Sequence, residues 1–265
     1  MEKAKLTISI VVYKSYADIL LLLDDIEKYV SKDLNKQIYI VDNSAFPEGN
    51  PDRDDFCRRL SKYADVKYID AGGNIGFGAG HNLILTQTDS KYHAIVNPDI
   101  RLKDDAFSKI ISYMDENPDV GMTIPRLTDD KGNLQSVYRR ELTVIDMFLR
   151  MFIKKGFKKR KAYHTMQDMD YTKPFNVPFG QGSFLVIRTD LLKKLNGFDE
   201  RFFLYMEDAD LCKRVNQISQ LMYYPGAEAI HNWERGSYKN KKLFITHVKS
   251  MIKYFGKWGI FHPNK

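Results

Sequence analysis

Leu6 to Tyr13 (LTISIVVY) is apolar and β-branched, the pattern of a strand buried on both faces. Directly after it, Ile19, Leu22, Leu23, Ile26 and Val30 recur at helical spacing and share one face. Gln37 to Val41 predicts a second strand that ends in Asp42-Asn43-Ser44. A polar loop over Ala45 to Asp52 precedes a helix over Asp54 to Tyr63 and a third strand over Val66 to Ile69. The Gly-rich segment Gly72 to Asn82 leads into a helix from about His81 to Thr88, and Ala94 to Val96 supplies a fourth strand. This alternation predicts an α/β protein: a mainly parallel, Rossmann-like sheet with right-handed crossovers, flanked by helices.

The second half is less regular. A helix is expected over Asp104 to Glu116, a short strand over Val120 to Pro125 and a turn over Asp129 to Asn133. Leu142 to Phe152 reads as an apolar helix that runs into Lys154, Lys155, Lys158, Lys159, Arg160 and Lys161. Residues 162 to 175 read as a loop. Gly182 to Arg188 reads as a strand, with Thr189 capping a short helix to Leu195. Asp208 to Ile218 predicts a helix, Leu221 to Tyr224 a strand, and Lys241 to Trp258 a final amphipathic helix. There is no internal repeat.

With 265 residues, 43% of them hydrophobic and 28% charged, the chain suits one large α/β domain or two small ones. A net charge of +7 permits an anionic partner without choosing among nucleic acid, an acidic membrane face and a phosphorylated substrate. Cys57 and Cys212 lie far apart, which predicts free thiols and a reducing compartment. The first apolar run is too short for a signal sequence and is broken by Lys14, and no stretch approaches a membrane span.

Chemistry concentrates at three places. In Ile95-Val96-Asn97-Pro98-Asp99, proline removes a ladder donor and stops the strand at Asn97. One amide and one carboxylate are left at the carboxyl edge, where open α/β sheets bind ligands. Oxygen ligands there suit Mg²⁺ or Mn²⁺ on a diphosphate, although Asn-Pro-Asp is also ordinary turn chemistry. Asp42 ends the second strand on the same edge; it suits a nucleobase imide or a ribose hydroxyl, or an Asx-turn. The Gly72 to Asn82 segment lets backbone amides approach a phosphate or a flat base. It lacks the Gly-Lys-Ser/Thr of a Walker loop and follows the third strand, unlike a dinucleotide fingerprint. Finally, Glu207, Asp208 and Asp210 crowd together after the aromatic run Phe202 to Met206. Such crowding raises a carboxyl toward the strength of a working base, while an acidic helix start would look similar. The reading is one base and two structural carboxylates.

Five segments occur in the order found in family 2 glycosyltransferases: Asp42-Asn43, Gly73-Asn74-Ile75-Gly76-Phe77-Gly78, Asn97-Pro98-Asp99, Gly182-Ser183-Phe184 and Phe203 to Leu211. The chain resembles the bacterial rhamnosyltransferase-like branch of that family over about residues 6 to 240. The resemblance implies a GT-A fold over 1–240, with a nucleotide-sugar-binding half at 1–99, an acceptor-binding half at 100–240 and the amphipathic helix at 241–265. It implies Asp208 as the general base of an inverting transfer. It also implies that Asp42 meets the nucleobase and that Val12, Asn74, Gly76, Asn82, Asn97, Gly182 and Glu207 line the substrate site. Asp99, joined by His231, would hold the Mg²⁺ or Mn²⁺. Asn97 stands where many relatives carry the first carboxylate of Asp-x-Asp, which lowers the ligand charge at that site.

The lysines over 154–161 alternate with Ile153, Gly156 and Phe157, and the last helix sets Phe244, Val248, Met251, Ile252 and Phe255 opposite Lys242, Lys249, Lys253 and Lys257. Both patterns suit an anionic membrane surface, at about 1 kcal/mol per basic residue. Docking on its own domain or on a second subunit, as a homodimer, would leave the same helix pattern. The expected protein is a cytoplasmic enzyme, peripheral on the inner face of the bacterial cell membrane. It would move rhamnose from dTDP-rhamnose to a lipid-linked or growing cell-surface glycan, with no nucleic-acid partner. A UDP- or GDP-sugar donor is the nearest alternative. A nucleotidyltransferase should carry a Gly-rich loop with Arg and Lys right after the first strand, which Val12-Tyr13-Lys14-Ser15-Tyr16 is not. A plain binding module would not need Asp99 and Asp208 together.

Overall fold

The computed structural model describes residues 3–153, 156–232 and 240–260. Lys154 and Lys155 of the basic cluster, and Trp233 after His231, lie outside the described residues. The first half follows the alternation: β1 (Leu6–Val12), α1 (Tyr16–Tyr29), β2 (Lys36–Asp42), α2 (Pro51–Leu60), β3 (Val66–Asp70), α3 (Phe77–Leu85) and β4 (Tyr92–Val96). These strands pair in parallel in the order β3-β2-β1-β4. Helix α1 buries Ile19, Leu22, Leu23 and Ile26, the face its spacing predicts.

The second half comprises β5 (Ile100–Leu102), α4 (Ala106–Glu116), β6 (Val120–Thr128), β7 (Tyr138–Arg139), α5 (Val144–Phe152), α6 (Lys158–His164), β8 (Phe175–Asn176), β9 (Phe179–Gly180), β10 (Phe184–Arg188), α7 (Thr189–Lys194), α8 (Glu207–Asn216), β11 (Gln220–His231) and α9 (Lys241–Trp258). One sheet runs β3-β2-β1-β4-β10-β6-β11-β5, with β8 on β11, while β7 and β9 form a separate pair. Strand β10 lies antiparallel to both β4 and β6, while β11 pairs in parallel with β6, so β10 interrupts a mainly parallel sheet. Pleat alternation carries no information about direction, which is why the sequence pattern does not show this.

Other boundaries differ from the sequence expectation for local reasons. The helix expected at His81 starts at Phe77, so it includes part of the Gly-rich segment. Lys158–His164 is helical where the pattern runs from basic cluster into loop. Strand β11 continues past Tyr224 through a bulge to His231. Thr189 is the first residue of α7 rather than its cap; its hydroxyl lies 3.4 Å from that of Ser90.

Helix α9 docks on its own domain with one face, one of the arrangements its pattern allows, and leaves Ile245 and Ile252 exposed. It buries His247, Ser250, Tyr254 and Phe255, while Ile252 is 68% exposed. The Ser250 hydroxyl donates to the Leu204 carbonyl (2.9 Å), and the His247 ring stacks on Tyr205 (4.6 Å). Two polar residues therefore sit on the buried face because each has a partner there. Among the described residues no helix is long and apolar enough to cross a membrane.

Candidate active site

Val12, Asp42 and Asn97 stand at the carboxyl ends of β1, β2 and β4. Val12 is level with Asp42, and the Val12 carbonyl accepts from the Asn43 amide (2.8 Å). Because β10 runs opposite to β4, its first residues meet the last of β4. Phe184 pairs with Val96, and the Asn97 amide donates to the Ser183 carbonyl (2.8 Å). One residue back, the Gly182 N–H donates to Asp208 Oδ2 (3.1 Å). A side chain at Gly182 would press on the Asp208 Cβ (3.0 Å). Three of the predicted segments are thus joined by two bonds, one between backbones and one from a backbone N–H to a carboxylate.

Glu207 and Asp208 open α8 behind an unusual turn. Tyr205 and Met206 both lie in the left-handed region (φ 68° and 69°), which costs about 1–3 kcal/mol each for ordinary residues. Packing holds the turn: Met206 is buried and Tyr205 stacks on His247. Asp208 also accepts from the Ala209 amide (2.8 Å) and is half-buried. Glu207 is buried, and its Oε2 has no hydrogen-bond partner. Burial and then the Asp208 charge push Glu207 well above the usual carboxylate range. Burial also raises Asp208, against the pull of the Gly182 and Ala209 amides and of Arg139 and Arg150. Asp210 is different. It is fully buried and takes Arg214 Nε (2.7 Å), Lys257 Nζ (2.6 Å) and Trp258 Nε1 (2.9 Å), the last two from α9.

The register of β5 on β11 sets His231 opposite Ile100, and the Asn232 amide donates to the Asp99 carbonyl (3.1 Å). This brings His231 Nε2 within 3.5 Å of Asp99 Oδ2. Asp99 Oδ1 and Asn97 Oδ1 are buried and accept no hydrogen bond. A carboxylate, an amide oxygen and an imidazole suit Mg²⁺ or, better, Mn²⁺. No group of three or more His, Cys, Asp and Glu side chains that could hold a metal occurs among the described residues, so this set offers a metal only part of its coordination shell.

The nucleotide-side residues behave less as expected. Asp42 is buried and already accepts from the Tyr16 hydroxyl (2.5 Å), the Tyr68 hydroxyl (2.7 Å) and the Ser44 amide (2.8 Å). A carboxylate has about four acceptor positions, so at most one remains for a nucleobase unless a tyrosine yields. Asn82 uses both amide donors, on the Phe198 carbonyl (2.9 Å) and Glu200 (3.0 Å), and accepts from the Phe198 amide (2.8 Å). It fastens α3 to the 198–200 segment. Asn74 is exposed and accepts from the Gly76 amide (3.2 Å). Gly76, at φ 96°, leaves room for the Phe203 carbonyl, which takes the Phe77 N–H (3.0 Å); a Cβ there would overlap that oxygen. Gly76 and Gly78 thus serve close packing of α3 on the 198–203 segment, and Gly80 serves its packing on Val11 of β1.

Sequence reasoning missed Tyr16 and Tyr68 as partners of Asp42; both follow strand-like or helix-like runs with no marker of their role. It also missed Gln135, whose amide nitrogen donates to the His231 carbonyl (2.6 Å) and whose Oε1 meets His231 Nδ1 (3.0 Å).

The family model described as Glycosyl transferase family 2 matches residues 7–195. The rhamnosyltransferase WbbL of Escherichia coli K12 is 30% identical over 205 residues, covering 74% of this chain and 75% of its own. The N-acetylglucosaminyl-diphospho-decaprenol L-rhamnosyltransferase of Mycobacterium tuberculosis is 25% identical over 187 residues; the match covers 65% of this chain and 61% of the relative. Among solved structures, the mannosyltransferase of Pyrobaculum calidifontis, in complex with GDP-Man and Mn²⁺, superposes with a TM-score of 0.66 at 13% identity. That match covers 97% of this chain and 64% of the other, and it shows the shared GT-A fold.

Proposed function

The chain belongs to glycosyltransferase family 2, and on that premise we propose that it is an inverting, metal-dependent rhamnosyltransferase. It takes dTDP-rhamnose and adds the sugar to a lipid-linked or growing cell-surface glycan. Residues 1–99 bind the donor and 100–240 the acceptor. The observation that supports this reading is the pair of bonds through Asn97–Ser183 and Gly182–Asp208, which ties a carboxyl of raised pKa to the end of β4, two residues before Asp99. Asp208 accepts the proton of the acceptor hydroxyl as that oxygen attacks the anomeric carbon. Glu207, with its free oxygen, holds the acceptor. Asp99 and His231 would hold Mg²⁺ or Mn²⁺, which would supply positive charge against the departing diphosphate. Rhamnose is supported by the names of two relatives, and a lipid-linked acceptor by one of them.

A membrane surface is part of this reading. Phe157, Lys158 and Lys159 are exposed in series, and Ile145, Ile245 and Ile252 face solvent from α5 and α9. Arg160 and Lys161 are partly engaged inside the protein, with Asp146 and with the Ile153 carbonyl.

The test is a donor screen read by product mass, with Mn²⁺ and a polyprenyl-diphospho-N-acetylglucosamine acceptor. Transfer from dTDP-rhamnose is the expected result. Transfer only from a UDP- or GDP-sugar overturns the donor, and formation of a nucleotide-sugar from a sugar phosphate overturns the reaction class.

A further inference from the structure

The tautomer of His231 is set by one residue outside every segment named for the site. Gln135 sits between β6 and β7, its backbone fixed by its N–H on the Leu127 carbonyl (2.9 Å) and by the Val137 N–H on its own carbonyl (2.9 Å). The turn before it is tied by Asp129, which accepts from the Lys131 and Asn133 amides (3.0 and 2.8 Å). The Gln135 side chain then grips His231 twice. A backbone carbonyl can only accept, so the Gln135 nitrogen faces the His231 carbonyl at 2.6 Å. Its oxygen is left for His231 Nδ1 at 3.0 Å, and an amide oxygen can only accept. Nδ1 therefore carries the proton of the neutral ring, and Nε2 carries the lone pair. Nε2 is the nitrogen on the Asp99 side, 3.5 Å from Oδ2. Neutral histidine in water prefers the opposite tautomer.

We propose that Gln135 is a positioning residue for the metal site: it locks His231 as the Nδ1–H tautomer, aims Nε2 at the ion beside Asp99, and so tunes Mn²⁺ affinity. This rests on the reading of Asp99 and His231 as metal ligands. The grip acts on both the ring and the main chain of the same residue, so it fixes rotation as well as protonation. Partners of this kind behind a metal-binding histidine typically change metal affinity by about 10–100-fold.

The experiment uses ¹⁵N-labelled full-length protein at pH 8, with His231 assigned by comparison with His231→Gln. The metal-free wild type should show a protonated Nδ1 and an unprotonated Nε2. Gln135→Leu should shift the ring toward Nε2–H. It should also weaken Mn²⁺ binding by about 10–100-fold in calorimetry with saturating dTDP or UDP, with metal-free nucleotide affinity unchanged. Gln135→Glu retains an acceptor for Nδ1 and should keep the tautomer and most of the Mn²⁺ affinity, which separates this role from a packing role. A wild-type ring protonated on Nε2, or a folded Gln135→Leu with unaltered tautomer and Mn²⁺ affinity, overturns the proposal. A wild type with the Nδ1–H tautomer but no Mn²⁺ binding overturns the metal reading itself, and this role of Gln135 with it.

Discussion

Gly182 and Asp208 are joined by a single backbone N–H donated to Oδ2 at 3.1 Å, and no Cβ stands between them. That contact places the head of α8 against the head of β10. It holds one carboxylate oxygen while burial raises the group's affinity for a proton. The two effects oppose each other.

Asp208→Asn keeps the shape and cannot accept the proton. It should retain donor affinity and lose turnover by about 10²–10⁴-fold. Asp210→Ala should do something else. It leaves Arg214 and Lys257 without their buried partner, so it should lower stability by about 3–5 kcal/mol. Turnover, donor binding and denaturant midpoints on both proteins check this; a folded but dead Asp210→Asn beside an active Asp208→Asn would reverse the assignment.

Asp99→Ala should abolish the gain in nucleoside diphosphate affinity that Mg²⁺ or Mn²⁺ confers, since the carboxylate is the charged member of the ligand set. Calorimetry with and without the ion measures it. An unchanged metal dependence would remove Asp99 from the site.

Glu207 carries a pH signature with a definite sign. Its acid form is favoured in the fold, so the folded chain holds more protons than the unfolded one between the ordinary and the raised value. Stability contributed at low pH is lost as pH rises through that window. Glu207→Gln should therefore stabilise the protein at pH 8 relative to wild type and change little at pH 4. Urea midpoints at the two pH values decide it; a loss at pH 8 would contradict the burial argument.

Trp258→Phe keeps the ring in place but removes the donor to Asp210. The expected cost is about 1–3 kcal/mol of stability, with nucleotide affinity intact. A thermal melt and a nucleotide titration separate a docking role for α9 from a role in binding.

Vesicles test the surface. Binding to anionic vesicles should exceed binding to neutral ones and fall with salt, as screened charges require. Equal binding to both would remove the electrostatic part.

What could be read beforehand depended on how local the cause is. The end of β4 just before Asp99 was legible because Pro98 ends a strand by its own covalent chemistry, and the acidic start of α8 because carboxylates cluster after an aromatic run. The left-handed Tyr205–Met206 pair was not, since neither residue favours that conformation and tertiary packing holds it, with Met206 buried and Tyr205 stacked on His247. The docking face of α9 shares Phe255 with the apolar stripe but is offset from it, because Ser250 is buried by a hydrogen bond to Leu204 and the hydrophobic pattern counts serine as surface. The partners of Asn82 could not be read in advance, because Phe198 and Glu200 lie more than a hundred positions on. Gln135 had no signal at all, being a lone glutamine after a turn.

The antiparallel seat of β10 has a consequence for how the chain is made. On the ribosome, β1 to β4 emerge together and can pair at once, yet β4 then offers an open hydrogen-bonding edge until β10 has been synthesised. Such an edge is a template for a neighbouring nascent chain. Weakening substitutions in Phe184–Arg188 should therefore surface as insoluble protein at elevated growth temperature, before any defect in sugar transfer becomes measurable.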